Sequence, residues 1–129
     1  MKNILVVEDD LALARAIVRK LKLEGFGVDQ VDNVPDALNI ISKNKIDAIW
    51  LDHYLLEKET GLDFLEKIKK HKEWSNIPVF VVTNSVGDDK VRKYTILGIE
   101  KYYIKAESSL ANIIKDIDNF FLEEKGKDA

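Results

Sequence analysis

Ile4-Leu5-Val6-Val7-Glu8-Asp9-Asp10 decides how this chain is read: four consecutive apolar residues closed abruptly by three acids. A strand that is apolar on both faces belongs in a parallel sheet covered by helices above and below, because only there are both faces dry. Four further runs follow: Val28 to Val31, Ile46 to Leu51, Val79 to Val82 and Tyr102 to Ile104. They are rich in β-branched and aromatic residues, as strands are. The third and fourth runs are again apolar on both faces. Val28-Asp29-Gln30-Val31 and the short fifth run are more mixed, which suits edge strands.

Helical spacing fills the intervals. Leu13, Ala14, Ile17, Val18 and Leu21 recur at three and four residues and end before Gly25, a residue type that commonly follows a helix end. A second helix starts at Pro35 and carries Ala37, Leu38, Ile40 and Ile41; a third, with Leu62, Leu65 and Ile68, runs toward Trp74. The fourth spans about Asp88 to Leu97, is mostly polar, and stops at Gly98. The last carries Leu110, Ile113, Ile114, Ile117, Phe120 and Phe121 behind the capping candidates Ser108 and Ser109. The pattern is βα repeated five times. Crossovers between parallel strands are right-handed almost without exception, so the expected fold is α/β with a doubly wound, five-stranded parallel sheet.

Composition bounds what such a fold does. With 129 residues the chain is one domain, and 46% hydrophobic residues supply its core. The 23 acids and 20 bases leave a net charge of −3, which gives no basic footprint for nucleic acid. Without cysteine there is no disulfide, thiol catalysis or thiolate zinc site. His53 and His71 are too few and too isolated for a histidine-built metal site. No run approaches the ~20 apolar residues of a membrane span, and Ile4 to Val7 is too short for a signal peptide. A soluble, cytoplasmic domain over 1–122 is expected, with 123–129 as a solvated, frayed tail and no output domain.

In an open parallel sheet, ligands bind beyond the carboxyl ends of the strands. The first run ends there in Glu8-Asp9-Asp10, the third in Asp52, the fourth in Thr83-Asn84-Ser85 and the fifth in Lys105. Each alone is a weak signal, and Asp10 is equally readable as the cap of the first helix. Together they carry weight, because clustered like charges are unfavourable unless something neutralises them. An oxygen-rich site with few protein ligands suits Mg²⁺, which keeps several waters and shares its shell with phosphoryl groups. A remaining carboxylate can then act as a nucleophile toward phosphorus.

At these residues the chain resembles the receiver domain of two-component response regulators, of the stand-alone CheY-like type. The resemblance runs from Ile4 through Asp10, Trp50-Leu51-Asp52 and Val81-Val82-Thr83 to Tyr102-Tyr103-Ile104-Lys105. It implies the flavodoxin-like strand order 2-1-3-4-5. It also implies a switch used in phosphorelay signalling, which promotes its own phosphorylation and slow dephosphorylation but is not a turnover enzyme. Asp52 would be the phosphoacceptor, charged from a phosphohistidine of a sensor histidine kinase or phosphotransfer protein. Asp9 would bind Mg²⁺ directly, Glu8 mostly through a metal-bound water, and Asp52 with the backbone carbonyl of Tyr54 would complete the set. Lys105 would pair with Asp52 at rest and with a phosphoryl oxygen afterwards. Thr83 would move to the phosphoryl group and Tyr102 would turn inward behind it. A downstream protein would read the surface of the fourth helix, fifth strand and fifth helix, and a homodimer through that surface is compatible with it. The first helix, with Leu13 and Ala16, lies near where the family docks its phosphodonors. No direct contact with nucleic acid or membrane is implied.

Four features depart from the family pattern. Ala106 replaces the proline usual after the lysine, and a trans bond is expected there. The loop His53-Tyr54-Leu55-Leu56-Glu57-Lys58-Glu59-Thr60-Gly61 lacks the usual proline and carries its glycine one residue late. Asn84 stands where a small residue is usual, and Tyr54 is bulky beside the phosphoacceptor. Tyr54 and Asn84 together are expected to narrow the approach of water. These departures also feed an alternative, an atypical receiver that binds partners without phosphorylation. A haloacid-dehalogenase-type phosphatase is excluded by Tyr54, where a second aspartate is needed. A flavin site is excluded by the acids after the first run, since phosphate seeks backbone N–H groups there. Gly25-Phe26-Gly27 follows a helix and leads into a strand, the wrong context for a nucleotide loop.

Overall fold

Each apolar run becomes a strand and each periodic segment a helix. The computed structural model describes residues 1–85 and 87–128. In chain order the elements are β1 (Asn3–Val7), α1 (Leu11–Leu23), β2 (Gly27–Val31), α2 (Val34–Lys43), β3 (Ala48–Leu51), α3 (Gly61–Lys70), β4 (Val79–Thr83), α4 (Asp88–Leu97), β5 (Lys101–Ile104) and α5 (Leu110–Asp128). The strands are all parallel, in the order β2-β1-β3-β4-β5. The two mixed runs are therefore the two edges, and the three strands apolar on both faces hold the middle.

Alternation along the strands splits the core in two. Leu5, Val7, Ile49, Leu51, Val79 and Val81 face α2, α3 and the one buried side chain of α4, Tyr94. Ile4, Val6, Ala48, Trp50, Phe80 and Val82 face α1 and α5 across Ile17, Leu21, Ile113, Ile114 and Ile117. Trp50 is fully buried, the core position its place in the strand implies.

Local chemistry sets the helix ends. Asp10 Oδ1 accepts from Leu13 N–H at 3.1 Å and so caps α1. Asn33 does the same for α2, and Thr60 with Asp63 forms a reciprocal capping box at α3. Of the two serine candidates before α5, Ser109 is the one whose hydroxyl accepts, from Asn112 N–H at 3.1 Å. Gly98, at φ +102°, ends α4 where an L side chain would be strained.

The structure differs from expectation at three boundaries. β3 starts at Ala48, two residues into its run, because Asp47 turns to exchange hydrogen bonds with the Asn3 backbone. α3 stops at Lys70, and Trp74 lies beyond it with its ring stacked 3.6 Å from that of His71. α5 continues as helix through 123–128, where a frayed tail was expected; Leu122, Glu123, Glu124 and Lys125 are all good helix formers. Residues 122–126 are exposed, and Ala129 lies outside the described residues. No helix, among the described residues, is long and apolar enough to cross a membrane.

Candidate functional site

Strand register assembles the site. Val7 pairs with Leu51, and Asp52 N–H donates to the Val7 carbonyl at 3.0 Å, so the residues just past β1 and β3 stand side by side. Thr83 pairs with Ile104, and Lys105 N–H donates to the Thr83 carbonyl at 2.9 Å. Glu8, Asp52, Thr83 and Lys105 therefore meet at one sheet edge although nearly a hundred residues separate the first from the last. Gly61 lets α3 start directly beneath them: a Cβ there would lie 2.2 Å from the Asp52 carbonyl oxygen.

Glu8 and Thr83 are fully buried and Asp52 is 3% exposed. Lys105 Nζ lies 2.6 Å from Glu8 Oε1 and donates to Asp52 Oδ2 at 2.8 Å. Burial pushes the Glu8 carboxyl up to about 7, with the Asp52 charge adding to the rise and Lys105 opposing it. Burial also works against the Lys105 ammonium, but hydrogen bonds to Asp52 and Glu8 outweigh it and hold the lysine above its ordinary value.

A divalent cation fits this donor set. One carboxylate oxygen from each of Glu8, Asp9 and Asp52 lies within 4.8 Å of the others. Glu8 Oε1 is buried, and the Lys105 ammonium beside it is its partner. Such an oxygen is costly to desolvate and well suited to a hard cation. Thus Glu8, Asp9, Asp52, Thr83 and Lys105 come together as the sequence reading placed them. Asp10 joins only through its backbone, donating to Glu8 Oε2 at 3.1 Å, while its side chain caps α1.

The rim is where sequence reasoning fell short. Asn84 is exposed. Its Oδ1 accepts the Ala106 N–H at 3.2 Å, a bond that proline could not supply, so two separately noted departures satisfy each other. The Lys105–Ala106 bond is trans. Tyr54 N–H lies 3.4 Å from Asp52 Oδ1, and its ring, half exposed, carries Lys90 Nζ 4.8 Å above it and 2.8 Å from its hydroxyl. Tyr102 is already turned in, donating from its hydroxyl to the Ser85 carbonyl at 2.7 Å, while Ser85 N–H donates to Thr83 Oγ1 at 3.3 Å. In the loop between β3 and α3, Glu57 adopts φ +71°. Behind the site His53 Nδ1 and the Tyr94 hydroxyl share a buried hydrogen bond of 2.7 Å. No spacing rule announces that pair, since nothing in the sequence marks which helix will lie over His53.

Known proteins agree with this arrangement. A model of the response regulator receiver domain matches residues 4–118. A probable transcriptional regulator of Porphyra purpurea is 30% identical over 118 residues, which are 89% of this chain and 56% of that one. The chain thus spans little more than half of that relative. A CheY-like receiver from Methanospirillum hungatei superposes with a TM-score of 0.87 at 22% identity, over 100% of this chain and 99% of that one. The Mn²⁺-bound response regulator Rcp1 does so with a TM-score of 0.82 at 27% identity, over 95% and 96% of the two chains. With its strand order, its acid-lined sheet edge and a family match over nearly its whole length, this chain belongs to the response regulator receiver domains.

Proposed function

We propose that the chain is a phosphorylation-dependent switch in which Asp52 takes a phosphoryl group from a phosphohistidine of a sensor histidine kinase or phosphotransfer protein. An Asp52 carboxylate oxygen attacks phosphorus, the P–N bond breaks, and its electron pair stays with the imidazole, which takes up a proton. Mg²⁺, held by Glu8, Asp9, Asp52 and the backbone carbonyl of Tyr54, would offset charge on the phosphoryl oxygens. The Rcp1 relative is described with Mn²⁺ bound, a cation of similar hardness. Lys105 exchanges its hold on Asp52 for a phosphoryl oxygen, and Thr83 gives its hydroxyl to another. The added charge of about −1.5 to −2 reorganises the loop after β4, and Tyr102 and α4 carry the change to a downstream protein docked on α4, β5 and α5.

The observation that carries this reading is the Lys105 ammonium held between the buried carboxylates of Glu8 and Asp52. Intact mass after incubation with Mg²⁺ and acetyl phosphate tests it. One phosphoryl group is expected, absent from Asp52→Asn and absent without Mg²⁺. The inward hydrogen bond of Tyr102 to Ser85 favours one second reading, a receiver whose output face is preset and binds partners without phosphorylation. No mass gain, with beryllofluoride leaving the amide spectrum unmoved, would decide for that reading. Tyr54 follows Asp52 by two residues with its N–H 3.4 Å from Asp52 Oδ1, and its ring would screen a phosphoryl group there from water. Tyr54→Ala is expected to shorten the lifetime of the phosphorylated form several-fold by mass spectrometry, and an unchanged lifetime would refute the screening role.

A further inference from the structure

α4 is only lightly buried, held outside Tyr94 by Leu97 against the core and by Lys90 on the Tyr54 hydroxyl. Its N-cap, Gly87, offers no side-chain hydrogen bond, and Tyr94 is its one buried residue. That side chain is fully enclosed, packs in the core beneath β3 and β4, and ends in the hydroxyl that meets His53 Nδ1 at 2.7 Å. His53 is itself buried and follows Asp52 directly in the chain. Its carbonyl accepts Gly61 N–H at 2.8 Å, which fixes it to the start of α3. The Tyr94 ring lies 5.7 Å from that of Tyr102, and the His53 ring lies 5.8 Å from that of Tyr94, both nearly edge-on. Gly61 keeps the space open, since a Cβ there would stand 2.9 Å from the Tyr94 hydroxyl oxygen.

A continuous buried path therefore joins the backbone of the phosphoacceptor to α4 and to Tyr102. We propose that Tyr94 is a positioning residue, anchored on His53, through which a change at Asp52 is delivered to α4. The proposal rests on the receiver reading above. It assigns the coupling to one hydrogen bond, where the loop after β4 would otherwise carry all of it. A buried polar pair of this kind is directional, so it fixes where α4 pivots and not merely how tightly it packs.

Tyr94→Phe removes one oxygen and keeps the ring, so packing is preserved. Two quantities are measured in parallel: phosphoryl uptake from acetyl phosphate by mass, and the amide shift changes of α4 and Tyr102 on adding beryllofluoride with Mg²⁺. Tyr94→Phe is expected to take up phosphoryl as the wild type does while its α4 response falls by at least half. His53→Leu should lose the same share of response, the double variant no more than either, and His53→Asn, which keeps a polar atom near the Nδ1 position, should retain it. A full α4 response in Tyr94→Phe would overturn the link, as would losses in the two single variants that simply add. If the wild type itself gains no phosphoryl group, the receiver reading falls and the link, having nothing to deliver, falls with it; the mass measurement separates that case from failure of the link alone.

Discussion

Glu8 is shut off from solvent, and burial with the nearby Asp52 charge raises its pKa to about 7. A folded-state pKa above the unfolded value of 4.5 contributes stability that is fully present below pH 4.5 and is lost as pH rises through about 7. Cation binding would run the other way, because Glu8 must give up its proton to accept from a metal-bound water or to bind the ion. Mg²⁺ affinity, followed by Trp50 fluorescence, is therefore expected to weaken by up to about tenfold per pH unit on the acid side of that value. Lys105 supplies the opposite test. Lys105→Met leaves two carboxylates facing each other and should cost about 2 kcal/mol at pH 8 in urea titration, less than for a sealed ion pair because Glu8 can take up a proton. The loss should shrink at pH 5 and be largely restored at pH 8 by Mg²⁺. The polar residues that close the strands made this centre legible from the sequence, since topology alone gathers them. The Asn84–Ala106 bond was not legible: each residue was visible as odd, but the bond depends on how two loops happen to approach.

At the scale of elements, periodicity located all ten but misplaced ends that depend on single contacts. Asp47 bonding to Asn3 shortened β3, and good helix formers after Phe121 carried α5 onward. The β3–α3 loop holds one strained side-chain residue. Glu57 adopts φ +71°, a conformation that burdens a side chain by about 1–2 kcal/mol. Leu56 N–H donates to the Asp32 carbonyl at 3.0 Å, which holds the loop in this path. Glu57→Gly is expected to raise stability by about 0.5–1 kcal/mol, the strain relieved less the backbone freedom glycine loses on folding. A change in urea midpoint without a change in slope would measure it. If the midpoint fell instead, the conformation would have to be supported by contacts of the Glu57 side chain.

Across the whole molecule, support is uneven. α1, α2 and α3 each bury three or more side chains, whereas α4 buries only Tyr94. Thin burial means local opening at low free energy. Amides in the middle of α4 are expected to exchange with deuterium at least tenfold faster than those of α3, and protection equal to α3 would contradict this account. If α4 carries the proposed response, its thin burial makes that response inexpensive.

The register that brings Glu8 beside Asp52 also bears on the order in which the chain can acquire its shape during synthesis. Lys105 comes after β1 and β3 in the chain, so pairing of those two strands alone would press two acids together with no ammonium between them. The paired β1 and β3 are therefore expected to gain stability when β5 docks and sets Lys105 between the two acids.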